Sequence, residues 1–189
     1  MTDSPILRYD NHMNKEMKRR MAEPIRALHL PRYAEIPNVG LYLEQVTKYI
    51  NGYVAPLGCL ELTTSMVSNY VKKGIIPKPV KKQYLAEHIA YLFFVLFAKN
   101  LVSIENVGLL IEMQRSSYTL PAAYDYMCSE LENQLFYIFG IQDSMDDLGE
   151  TVSDEKDLMR SLIFSAASVI YMNACFRQMR EENESHAGS

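Results

Sequence analysis

Only three cysteines occur in 189 residues, Cys59, Cys128 and Cys175, and no two are neighbours. Without a close pair, neither a disulfide framework nor a zinc knuckle can be read. The four histidines, His12, His29, His88 and His186, are scattered over separate segments without metal-ligand spacing, and no glycine-rich phosphate loop is present. No enzyme activity, cofactor or metal site is therefore expected. Long apolar runs are missing too: the longest, residues 89–98, has ten residues, where a membrane span takes ~20. The uncharged stretch 161–176 is broken by Ser, Asn and Cys, so no membrane partner is expected. Residues 1–10 show no basic segment followed by an apolar core, which reads against a secretory signal and makes the cytoplasm the expected compartment. Basic charge is short overall, with 19 Lys and Arg against 23 Asp and Glu and a net charge of −4. That balance excludes a basic nucleic-acid coat, so any nucleic-acid contact must rest on local charge.

What is present is a chain with 48% apolar residues, and its length suffices to bury roughly 70% of the surface exposed on unfolding. Met13, Met17 and Met21, continued by Ile25 and Leu28, mark an amphipathic N-terminal helix that Pro24 should end or kink. Residues 30–33 read as an extended connector because of Pro31. A second helix is expected from near Asn38, with Leu41, Gln45, Val46, Tyr49, Ile50 and Tyr53 inward, ending at Pro56 and Gly58. Thr63 or Thr64 can cap a short helix over 65–73, and Gly74 suits its left-handed terminator. Residues 74–84, with two prolines one residue apart, read as a wing-like ribbon or loop. Apolar periodicity then predicts helices over 85–99 and, from a Ser103 cap, to about Gln114. Thr119 and Pro121 open another helix, with Tyr124, Cys128, Leu131 and Leu135 inward and Asp125, Glu130, Glu132 and Asn133 on its outer face. A mobile acidic loop over 142–156 follows, then a last helix over 154–182 with apolar residues on more than one face. Such a helix is buried centrally or lies in an oligomer interface. The expected fold is mainly α, divided into an N-terminal amphipathic helix (1–29), a central domain (30–115) and a C-terminal helical lobe (116–189).

Charge is segregated along this chain. Residues 62–86 hold Lys72, Lys73, Lys78, Lys81 and Lys82 and no acid, whereas residues 125–157 hold ten acids against Lys156. On the helix over 65–73, Met66, Val67, Tyr70 and Val71 form an inner face, leaving Ser65, Ser68, Asn69 and Lys72 outside. Small hydroxyls permit close approach to a groove, Asn can pair bidentately with adenine, and Lys reaches phosphate or guanine.

The order of these parts resembles the N-terminal DNA-binding domain of MerR-like regulators. The matching elements are Tyr70, Gly74-Ile75-Ile76-Pro77, Tyr84, the helix after Leu85, and Leu101-Val102-Ser103 before the next helix. Over residues 30–112 the motifs LPRYAEIP, YLEQVTKYINGYVAPL, TTSMVSNYVKKGIIPKPVKKQY and EHIAYLFFV look more specifically like the YkrK-like bacterial family of unknown function. The resemblance implies a winged helix-turn-helix with residues 65–73 in the major groove and 78–84 against the backbone. Lys82 and Gln83 stand where MerR-like wings carry Arg beside the Tyr, and the insert Gly58 to Leu62 separates the first two helices.

Ser65, Ser68 and Asn69 are thus expected to read bases, and Thr64, Lys72, Lys73, Lys78, Lys81, Lys82 and Tyr84 to hold phosphates. The expected partner is double-stranded DNA, bound by a homodimer acting as a transcriptional regulator, with a small-molecule or protein effector at the C-terminal lobe. The aromatics Tyr124, Tyr126, Phe136, Tyr137 and Tyr171 could enclose that effector or be ordinary core. The rival reading is a helical protein-interaction module whose lysines face solvent.

Overall fold

The computed structural model describes residues 15–148 and 153–187. His12, Met13 and residues 149–152 of the acidic segment lie outside the described residues. Among those described, seven α-helices are joined by turns, and the only β pairing consists of two isolated antiparallel bridges, Leu41 with Tyr84 and Val80 with Gln83. The chain is mainly helical, as its periodicity predicts.

Helix α1, Lys15–Ala22, turns Met17 and Met21 inward. Pro24 cannot donate to the helix ladder, and the chain tightens there into the 3-10 turn Glu23–Ile25, while Ile25 and Leu28 extend the buried stripe. Helix α2, Leu43–Val54, starts five residues later than Asn38. The reason is long-range. Leu41 exchanges both backbone hydrogen bonds with Tyr84, at 2.9 and 2.8 Å, which holds the chain before α2 extended. Gly40 permits this approach, since a Cβ there would stand 2.7 Å from Gln83 Cβ.

Helix α3, Thr64–Lys72, is set by its ends. Thr63 Oγ1 accepts from the Met66 N–H at 3.2 Å. Past Lys72, Gly74 adopts φ 73°, and the Gly74 and Ile75 N–H groups donate to Val71 and Tyr70 carbonyls, closing a Schellman motif. Helix α4, Ala86–Ala98, is buried at every position from His88 to Ala98 and forms the centre of the molecule, touching α2, α6 and α7. The remaining helices are α5 (Ile104–Ser117), α6 (Leu120–Ile138) and α7 (Asp154–Ala187). One apolar cluster runs from Met17 to Cys175, and each fully buried Leu or Phe in it contributes roughly 1.5–3 kcal/mol.

Helix α6 departs from the expected pattern. Its supposed solvent face is covered: Glu130, Glu132 and Asn133 are all buried. Glu132 accepts hydrogen bonds from the Leu30 N–H and from both Arg32 Nη atoms, and Asp125, two turns earlier, accepts from the Tyr33 N–H at 2.6 Å. Between them the Cys128 thiol faces the Pro31 carbonyl at 3.8 Å. The LPRY segment therefore lies extended along one stripe of α6. On the neighbouring face, Glu130 accepts from Gln134 Nε2 at 2.7 Å and from Arg160 Nε of α7 at 3.1 Å. Asn133 holds the acidic connection, accepting from the Asp146 N–H and donating to its carbonyl, so residues 142–146 are tied down rather than loose. Buried charges of this kind persist only when paired and hydrogen-bonded.

Helix α7 is long and apolar enough by length and composition to cross a bilayer. In this fold Leu162, Ile163, Ala166, Ala167, Ile170 and Ala174 pack inward, and the helix touches α1, α4, α5 and α6. Its opposite side leaves Leu158, Phe164, Met172, Phe176 and Met179 45% or more exposed.

Candidate nucleic-acid interface

The polar face of α3 is built from the inside. Val67 and Tyr70 are buried, with α3 packed on α2, which turns Thr64, Ser65, Ser68, Asn69 and Lys72 to the surface. Asn51 of α2 fixes the entry to α3 by pairing with Leu62 through both backbone groups, at 2.8 and 2.9 Å. The insert 58–62 is thereby a defined turn. Ser68 Oγ donates to the Thr64 carbonyl at 2.9 Å, so its hydroxyl presents lone pairs outward. Asn69 is exposed with its amide unengaged among the hydrogen bonds described.

Beyond Gly74 the wing is held at its base by three contacts. Ile76 is buried, Tyr84 bridges Leu41, and His88 Nε2 donates to the Lys78 carbonyl at 3.2 Å while its Nδ1 accepts the Leu85 N–H at 3.0 Å. Those two bonds require the neutral Nε2–H tautomer. At the tip, Val80 and Gln83 exchange hydrogen bonds of 3.0 and 2.9 Å around just two residues, Lys81 and Lys82. Both have positive φ, 50° and 65°, as a type I′ turn demands. Lysine gains nothing from that backbone region, which costs roughly 1–2 kcal/mol per non-Gly residue. Two exposed ammonium groups are thus presented on a strained tip. Replacing the pair with Asn-Gly, the residues this turn prefers, is expected to stabilise the fold by about 0.5–1 kcal/mol, read as a higher thermal midpoint.

Of the residues expected to hold phosphates, Thr64, Lys72, Lys73, Lys78, Lys81 and Lys82 are exposed and follow one another from α3 to the wing tip. Thr64 is the first residue of α3 and Thr63 is its cap. The Tyr84 ring is packed into the core and meets His88 edge-on at 5.6 Å, while its backbone bridges Leu41. Lys73 is partly balanced by Glu105. The Glu105 carboxyl is held below the usual range by its own backbone N–H first, then by Ser103 and, after burial's opposing effect, by Lys73. Sequence reasoning missed Lys99, whose Nζ donates to the Glu61 carbonyl at 3.2 Å beside the start of α3. It closes the apolar run of α4, where a charge reads as a helix end.

A family model described as a domain of unknown function (DUF1836) matches residues 31–127, just over half of the chain. The chain belongs to that family. The DUF1836 segment contains α2 to α5, the wing and the first turns of α6, hence all ten residues singled out for nucleic-acid contact. It begins within the LPRY segment and ends beside Cys128, so Asp125 lies inside it and Glu132 outside. No curated protein and no solved structure matches the chain.

Proposed function

We propose that this DUF1836 protein is a sequence-specific double-stranded-DNA-binding transcriptional regulator, a MerR-like winged helix-turn-helix acting as a cytoplasmic homodimer without catalytic activity. The observation that carries the reading is the outward polar face of α3 followed by the exposed two-lysine tip of the wing, in a stretch with five lysines and no acid. Ser65, Ser68 and Asn69 read base edges in the major groove, while Lys72, Lys73, Lys78, Lys81 and Lys82, helped by Thr64, neutralise phosphates. The acidic residues of 125–157 belong to α6, α7 and their connection, where several are consumed in internal pairs.

The exposed apolar side of α7 supports the two-fold assembly, since an uncharged face carrying Phe164, Met172 and Phe176 is costly to leave in water. Dimerisation would set two α3 helices about one DNA turn apart. Replacing Phe176 with Glu is expected to shift the protein to monomer in light scattering and to leave its helical content unchanged. A dimer that persists would move the interface off α7.

Base reading is tested by binding-site selection from random duplexes. Asn69→Ala should relax preference at one position, whereas Lys81→Ala should weaken all sequences alike. Unchanged preference in the Asn69 variant would remove its base-reading role.

The rival reading, a protein-interaction module, draws on the same apolar side of α7. It predicts weak dependence of binding on salt and no effect of the wing lysines.

A further inference from the structure

The segment that carries the chain from α2 towards α3, residues 58–62, has no ladder of its own. The Gly58 N–H donates to the Ala55 carbonyl at 3.1 Å, but among the described residues 59–62 take part in no backbone–backbone hydrogen bond. Side chains from three helices reach it instead. Arg177 of α7 donates to the Gly58 carbonyl at 3.3 Å, and its guanidinium lies so close that a Cβ at position 58 would overlap it. Lys99, at the end of α4, is half-buried; its Nζ donates to the Glu61 carbonyl at 3.2 Å and stands 3.8 Å from Sδ of Met66, in the first turn of α3. Asn51 of α2 takes up both backbone groups of Leu62, whose side chain is buried. Thr63, the cap of α3, follows directly. Backbone groups without a ladder need other partners, so the path of the chain into α3 depends on these side chains.

We propose that Asn51 and Lys99 are positioning residues for base reading: they fix the tilt and advance of α3 so that Ser65, Ser68 and Asn69 meet base edges, without touching DNA themselves. The proposal rests on the DNA-binding reading of α3 and adds the device that sets its specificity. Hydrogen bonds to base edges need close distances and good angles. A flexible lysine follows a phosphate through a small shift of its helix. Loosening the entry to α3 therefore costs discrimination before it costs electrostatic attraction.

Full-length protein carrying Asn51→Ala or Lys99→Met is compared with the parent on its selected duplex and on a random duplex, over a range of salt concentrations. The ratio of the two affinities should fall about ten-fold for Asn51→Ala and about three-fold for Lys99→Met, with the salt slopes unchanged. A purely structural role lowers the folded fraction, which reduces both affinities together and leaves their ratio alone; that result overturns the proposal. A slope shallower by about 0.9 for Lys99→Met would make Lys99 a phosphate contact and overturn its part. Amide hydrogen exchange, measured without DNA, gives a second readout. In the Asn51 variant the α3 amides should exchange about ten-fold faster while those of α5 and α6 keep the parent's rates. Uniform acceleration in all helices, or none in α3, overturns the positioning role. A parent that binds no duplex overturns the DNA reading and the positioning role with it, whereas a parent that binds while both variants keep its ratio overturns the positioning role alone. Should the Asn51 variant fail to fold, Lys99→Met, which keeps most of the side chain's length, carries the test.

Discussion

The Lys81→Ala/Lys82→Ala double variant should bind its preferred duplex about thirty-fold more weakly per protomer near 0.15 M salt, with a log-log salt slope shallower by about 1.8. The magnitude follows from counterion release: each phosphate neutralised contributes a slope of about −0.9, and two contacts are lost per wing. Loss of folding would mimic the effect, and the turn itself supplies the control. Lys81→Asn with Lys82→Gly removes the same two charges while relieving the positive-φ strain at both positions. If both variants lose affinity equally, and one is more stable than the parent, charge at the wing tip is responsible. A parent protein with a flat salt dependence, bound no better than the variants, would overturn the DNA-binding reading and favour the interaction module.

Removal of the Glu132 carboxylate should be the most damaging single change to the fold. Glu132→Ala strands the Leu30 N–H and the Arg32 guanidinium, which Glu132 holds through both oxygens. A guanidinium stays protonated at working pH with or without a carboxylate beside it, so Arg32 cannot escape by neutralising once Glu132 is gone. Breaking a buried pair from one side costs about 3 kcal/mol or more. Urea unfolding measures it. Replacing both partners, Arg32→Met with Glu132→Leu, should recover most of the loss, because no uncompensated charge is left. A cost below about 1 kcal/mol for Glu132→Ala would mean the pair behaves as a solvated surface bridge.

The short helix α3 was legible because its limits are local: Thr63, three residues before Met66, and Gly74, just past Lys72, carry the cap and terminator chemistry in their own types. The same holds for Ser103 before α5 and for the apolar run of α4. Glu130, Glu132 and Asn133 were misread as a solvent face because their partners, Arg160, Arg32 and Asp146, lie on other elements. A polar residue on a helix reads as exposed until such a partner is known. The start of α2 failed for a related reason, since Leu41 is recruited into extended pairing by Tyr84. At the candidate site, periodicity marked Ser65, Ser68, Asn69 and Lys72 as outward. Nothing in a Lys-Lys pair announces a left-handed turn, and the two prolines signalled only that the wing is not helical. Tyr84 was assigned by its place in the wing, whereas its burial depends on Leu41 and His88.

In kinetic terms, the docking of residues 30–33 onto α6 is expected to be a late event. Arg32 and Glu132 stand 100 residues apart, so their meeting carries loop-closure entropy that nearer contacts avoid. The caps of α3 and α5 close within three residues. The helices that carry the polar face of α3 and its supports can therefore assemble from neighbours before the LPRY strap is laid down. Substitutions in the strap then speed unfolding and leave the folding rate nearly unchanged. On that expectation the lifetime of the polar face on α3, rather than the speed with which it forms, should respond to substitutions at the strap, which unfolding rates would measure.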